Sequence, residues 1–185
     1  MAVPIQKQLW TIEEFERAWD DGAFPPDARL ELIRGEIVEM SPIGGPHIAG
    51  VVRLITLLSR LFPRVQLSPQ NPLRISGRES IPQPDLVVIG PRVDLAENPP
   101  TDEDAFLVIE VADSSLLRDR RDKIPLYAEA GIPESWLVDL NSGTLFVHRH
   151  PSPAGYQDVR AYRRGESVFV EALPEVRFTV DEILG

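Results

Sequence analysis

The sequence predicts an α/β fold, and three observations carry that prediction. The runs Leu86-Val87-Val88-Ile89 and Phe106-Leu107-Val108-Ile109-Glu110-Val111 are short, β-branched and almost wholly apolar, the pattern of buried strands. They lie between two segments of helical rhythm, one opening at His47 and one covering Asp122 to Ala130. The order helix, strand, strand, strand, helix, strand therefore runs from His47 to Leu140, with hairpin patterns added at both ends, as in an α/β sandwich.

The elements follow in order. Thr11-Ile12-Glu13-Glu14 reads as a capping box, which opens a short helix ending near Gly22, with Phe15, Ala18 and Trp19 on one packed face. Pro25-Pro26 breaks it. Arg29 to Met40 alternates around Arg34-Gly35 and reads as a hairpin whose turn is flanked by Glu31 and Glu36, both expected as solvated charges. After the connector Ser41 to Pro46, the residues Ile48, Val51, Val52, Ile55, Leu58 and Phe62 recur at helical spacing. His47 sits in the first turn of that helix, where a lone histidine is ordinarily a cap or surface residue.

Val65 to Ile75 is the next strand. Pro69 and Pro72 place it at a sheet edge or a bulge. Between the two core strands lies an acidic loop, Gly90 to Asp104, carrying Asp94, Glu97, Asp102, Glu103 and Asp104; it lacks the ligand spacing of a calcium loop and reads as a solvated excursion. Pro125 belongs in a helix's first turn, which puts Lys123 near a helix start, and Gly131 with Pro133 ends that helix. Glu134 to Leu140 is a strand, and Asn141-Ser142-Gly143 turns into Leu145-Phe146-Val147. A hairpin around Arg163-Arg164-Gly165-Glu166 and a short segment ending in Asp181-Glu182-Ile183-Leu184 complete the chain.

Composition bounds the function. At 185 residues the chain is one domain over 1–185, with a core at about 30–140. It has no cysteine, which removes disulfides, thiolate metal sites and cysteine nucleophiles and fits a reducing compartment. Met1 to Leu9 holds no signal-peptide core, and no segment approaches the roughly 18 apolar residues of a membrane span, so the expected location is cytoplasmic, with no membrane partner. The net charge of −10 weighs against a nucleic-acid partner, although charge acts locally.

The chemistry concentrates on three groups. Asp85 precedes the first core strand and Glu110 lies inside the second, where a charge is costly without a partner. If the strands are antiparallel neighbours, Asp85 and Glu110 converge at one sheet end and suggest a hard-cation site, with Lys123 as a nearby positive group. Taken alone, Asp85 after Pro84 is an ordinary turn residue and Lys123 an exposed helix-start lysine.

A set of residues in order resolves these alternatives by resemblance. Glu31-Leu32-Ile33-Arg34-Gly35-Glu36, His47, Gln83-Pro84-Asp85-Leu86, Ile109 to Ser115, Asp119, Lys123, Leu126-Tyr127-Ala128, Gly131-Ile132 and Trp136 to Asp139 together resemble the Uma-two family of restriction endonucleases, within the PD-(D/E)XK nuclease superfamily. The resemblance spans about Leu30 to Asp139. It implies a restriction-endonuclease-like core and metal-dependent endonuclease activity on DNA. Asp85, Glu110 and the Val111 carbonyl would hold Mg²⁺ or Mn²⁺, with no organic cofactor, and Lys123 would orient water or stabilise charge. One departure is Ala112, two residues after Glu110, where the superfamily signature has lysine; Lys123, thirteen residues after Glu110, matches a lysine that has migrated to the helix.

Glu31, ahead of its rival Glu36, and His47 are further catalytic candidates. Arg118, Arg120 and Arg121 are candidate phosphate contacts, although pairing with Asp119 and Asp122 would account for them equally well. Arg149, Arg163 and Arg164 offer another contact surface. Cutting both strands implies a homodimer. Two alternatives stay open: an inactive oligomeric binding or regulatory module on the same fold, and a hydrolase of a small phosphorylated ligand.

Overall fold

The computed structural model describes residues 8–61, 64–91, 94–95, 99–113 and 115–185. Phe62, Glu97 and Ser114 lie outside them. The centre is a mixed sheet of six strands: β3 (Gln66–Pro69), β4 (Leu86–Ile89), β5 (Ala105–Ala112), β6 (Glu134–Asp139), β7 (Thr144–Arg149) and β8 (Asp158–Tyr162), in that spatial order. Only β5 and β6 pair in parallel, through the helical crossover between them. All other neighbours are antiparallel.

Both faces of the sheet are covered, which is why its central strands read as continuous apolar runs. On one face, Leu86, Val88, Ile109 and Val111 pack against Val51, Leu54 and Leu58 of α2 (Gly45–Leu58). The C-terminal hairpin of β9 (Ser167–Phe169) and β10 (Arg177–Thr179), with α5 (Val180–Leu184), closes that layer. On the other face Val87, Ile89, Val108 and Ala112 meet Ile124, Leu126 and Tyr127 from the crossover. Gly50 is where α2 comes closest to β5: a Cβ there would stand 3.0 Å from Val111 Cγ1. That close approach fixes His47, one turn earlier, above the end of the sheet.

A third cluster lies beside the sheet. α1 (Ile12–Asp20) starts with the Thr11–Glu14 capping box and packs Ile12 and Phe15 on Leu32 and Ile81. The hairpin of β1 (Leu30–Ile33) and β2 (Glu36–Glu39) turns at Arg34 and Gly35, which both have positive φ. Among the described residues, no helix is long and apolar enough to cross a membrane.

Several expectations change. The segment expected as one strand from Val65 to Ile75 is a strand only over Gln66–Pro69; it is the sheet's edge, as the prolines require. The acidic loop is partly built in: Asp104 caps a short 3₁₀ turn from Thr101, and Asp102 accepts the Ser76 N–H. Pro125 sits in the first turn of the helix Ile124–Glu129 with Lys123 at its N-cap, as expected, but that helix does not begin from a loop. Helical backbone already starts at α3 (Leu116–Arg118), passes through a π turn (Asp119–Lys123) and continues as α4 (Ile124–Glu129). In a regular helix Pro125 would press on the carbonyl four residues back, and the wider turn just before it accommodates the ring. The segments around Arg163 to Glu166 form a turn but not a hairpin, because β8 joins β7 and β9 pairs with β10.

Arg149 is no contact surface. It is buried, and Nε and Nη2 donate to Glu134 Oε1 at 2.9 and 2.8 Å, so its charge is used inside the protein. Next to it on β7, His148 is buried, with Nδ1 3.2 Å from the Ser135 carbonyl. Burial pushes its pKa down to about 4, against the Ser135 hydrogen bond, and Arg120 adds to the depression. The unfolded chain therefore takes up a proton there before the folded one does. This contribution is intact above pH of about 6.5 and is lost as pH falls towards 4. Thermal melting at pH 7 and pH 4.5 checks it: His148→Gln loses less stability than wild type over that interval.

Candidate active site

The antiparallel register pairs Leu86 with Ile109, so Asp85, one residue before β4, lies next to Glu110 and Val111 on β5. Asp85 Oδ2 accepts the Val111 N–H at 2.8 Å, and Oδ1 is 2.8 Å from His47 Nε2. The strand start thus becomes a fixed carboxylate, 9% exposed, tied to both neighbouring elements.

Glu110 shares the face of β5 that carries Val108 and Ala112, and it points at the crossover helix. Its Oε1 accepts the Tyr127 hydroxyl at 2.6 Å. Lys123 Nζ lies 3.3 Å from Glu110 Oε1 and 2.7 Å from Glu31 Oε1. Glu31 Oε1 also accepts the Gln83 N–H at 2.8 Å, which joins β1 to the loop leading into Asp85. Asp119, one helical turn before Lys123, is buried and takes a 2.5 Å hydrogen bond from Ser115 Oγ.

Asp85, Glu110, Glu31, Asp119 and Lys123 line one pocket of about 220 Å³, which His47, Asp113 and Arg118 also border. Four buried carboxylates, Glu31, Asp85, Glu110 and Asp119, face a single buried ammonium. Burial lifts Glu110 well above the usual carboxylate range; Lys123 opposes this, and the nearby acids add to it. Burial likewise raises Asp119, against Lys123 and Ser115. For Lys123 burial disfavours the charge, but Glu110, Glu31 and Asp119 outweigh it and hold the ammonium protonated. The Asp85 hydrogen bond raises His47, against the effect of burial. Burial and Glu110 keep Tyr127 a neutral donor.

The structure thus gathers Asp85, Glu110, Lys123, Glu31 and His47 at one place. Lys123 is not the exposed lysine its position suggests, and Glu31 is not a solvated hairpin charge: each is 5% exposed or less. Glu36 is exposed and does not line the pocket. Of the three arginines only Arg118 borders it, with Nη1 donating to the Glu39 carbonyl at 2.8 Å. Arg120 lies over the Phe146 ring and Arg121 pairs with Asp122. Asp119 pairs with Ser115 rather than with an arginine.

The parts that Tyr127 and Asp119 play in holding the site were not read from the sequence. Their signal was present, since Asp119, Lys123 and Tyr127 recur every four residues and share one helical face.

A mixed sheet covered on both faces, with an acidic pocket and a buried lysine at its strand ends, is a restriction-endonuclease-like arrangement. The family described as "Putative restriction endonuclease", Uma2, matches residues 12–181, and the chain belongs to that family. A solved structure described as a "putative nuclease" from Anabaena variabilis superimposes with a TM-score of 0.73 over 98% of both chains, at 18% identity, and shares the fold. Comparison with curated proteins gives no match.

The buried ammonium holds Glu31 and Glu110 together, and removing it leaves two uncompensated carboxylates. Lys123→Met is expected to cost about 3–5 kcal/mol in urea unfolding of the metal-free protein. A loss under 1 kcal/mol would mean that the carboxylates find other partners.

Proposed function

We propose that this protein is a metal-dependent endonuclease that hydrolyses DNA phosphodiester bonds. The observation that carries this reading is the meeting of Asp85 and Glu110, from adjacent antiparallel strands, with Lys123 in a pocket. The donor set fits a hard divalent cation. It is oxygen-rich, lines the pocket, and carries more negative than positive charge. Among the described residues no three His, Asp or Glu groups form a ready cage. Mg²⁺ keeps several waters and needs only one or two carboxylates from a protein.

Asp85, Glu110 and the Val111 carbonyl would hold Mg²⁺ or Mn²⁺, which supplies Lewis-acid polarisation of the phosphoryl oxygen and a more acidic bound water. The protein's own groups do the rest. Lys123 directs its ammonium at the attacking water or the developing phosphorane charge, and Glu31 keeps that ammonium in place. Tyr127 orients Glu110, and His47 orients Asp85. Among the described residues Arg118 Nη2 is buried and has no hydrogen-bond partner, a donor at the pocket suited to a backbone phosphate. Hydrolysis by water needs no covalent enzyme intermediate, and cutting both strands of a duplex takes a two-fold dimer with two such sites.

Nicking of supercoiled plasmid by the purified protein tests the reading. Cutting is expected with Mg²⁺ or Mn²⁺, is abolished by EDTA, and falls on the order of a hundredfold or more in Asp85→Ala and Lys123→Ala. Arg118→Gln raises the protein concentration needed for cutting and flattens its salt dependence. Cutting that survives Asp85→Ala would assign the activity to another site.

A further inference from the structure

The acidic pocket continues into a second, larger space. Arg29 and Gln83 line both the pocket and a groove of about 920 Å³ that runs between α1 and the Ser68–Pro72 end of edge strand β3. The two spaces share a wall, so a chain held at one reaches the other directly. The groove's volume is at the upper end of the roughly 300–1,000 Å³ that encloses drug-sized ligands, with room for more than one flat ring.

The chemistry of its walls differs from that of the pocket. Phe15 and Ile81 are buried beneath it, and Leu30, Pro72 and the half-buried Trp19 complete an apolar, partly aromatic surface. Of the arginines on its rim, Arg29 donates to the Ser41 carbonyl and Arg74 is ion-paired. Arg74 pairs with Glu16 at 2.5 Å and with Glu13 at 2.8 Å. With a chain charge of −10 as well, the groove offers a phosphate backbone little attraction. It offers flat apolar area, and the ligand groups that match such area beside a phosphodiester site are the faces of nucleobases. Bases in a duplex are stacked and present only their edges to a protein, so these faces are available only where the strand is unpaired.

We propose that the groove holds unpaired bases of the strand whose phosphate enters the acidic pocket. The preferred substrate is then single-stranded DNA or the single-stranded portion of a flapped or branched DNA. Stacking in the groove supplies the affinity that the acidic surface does not. The substrate assignment rests on the nuclease reading; the binding of bases does not depend on hydrolysis.

Binding is measured in EDTA on the full chain carrying Trp10→Phe, so that Trp19 reports while Trp136 stays buried. An eight-nucleotide oligothymidylate is expected to quench the fluorescence. An abasic sugar-phosphate oligomer of equal length and a blunt duplex should bind about tenfold more weakly or worse. Asn71→Glu adds a charge at an exposed groove residue without touching the apolar cluster, and Asn71→Ala, which removes the same hydrogen bond to Ser68 Oγ without adding charge, is its control; Asn71→Glu should weaken the oligothymidylate about tenfold relative to Asn71→Ala. Equal binding of the abasic or duplex probe, or oligothymidylate binding indifferent to Asn71→Glu, overturns the proposal. Base-dependent quenching in a protein that cuts nothing would keep the groove and remove the nuclease. Metal-dependent cutting with a duplex preference and no quenching would do the reverse.

Discussion

The buried ammonium of Lys123 is the interaction on which the rest of the site depends. It stands between Glu31 of the β1–β2 hairpin and Glu110 of the central sheet, at 2.7 and 3.3 Å. Neither carboxylate could be buried alone at tolerable cost, and the lysine could not be buried without them. Three elements distant in sequence are thereby locked by one charge cluster. The lock remains incomplete, because Asp85 and Asp119 add negative charge that one lysine does not offset.

Rigidity comes from hydrogen bonds made by groups with no chemistry of their own. The Val111 and Gln83 amides hold Asp85 and Glu31. Both amides belong to backbone already fixed by strand pairing or its approach, so the carboxylates inherit the precision of the sheet. Tyr127 does the same for Glu110 from the helix side. The tight contact at Gly50 sets the height of α2 over β5 and, with it, the reach of His47 to Asp85.

The sequence made the sheet legible where its pattern was local. Leu86 to Ile89 and Ala105 to Ala112 are strands because β-branched apolar runs buried on both faces have few alternatives. Their antiparallel pairing then placed Asp85 beside Glu110. Glu31 could not be separated from Glu36 by alternation, since both flank the same turn and only the burial of one hairpin face distinguishes them. Lys123 could be assigned to the site only by resemblance, for a related reason: thirteen residues of crossover separate it from Glu110, and only the completed fold returns it. Charges misled most at Arg149, whose partner Glu134 sits on the neighbouring strand and looked like an ordinary strand residue. Pro125 marked the first turn of α4 correctly, but nothing in the local pattern announced the π turn that leads into it.

That π turn also governs how the protein can vary. A regular helix advances about 100° per residue, so an extra residue in one turn rotates everything after it against everything before it. Asp119 and Lys123 stand at the two ends of the widened turn, with Tyr127 beyond. The angular relation among these three side chains is therefore encoded by the number of residues in the turn rather than by their identities. Arg120, Arg121 and Asp122 do not line the pocket, so for the site their number matters more than their chemistry. Across descendants of this chain, the segment is more open to substitution than to insertion or deletion, a length constraint in a stretch that would otherwise look like an unremarkable charged surface.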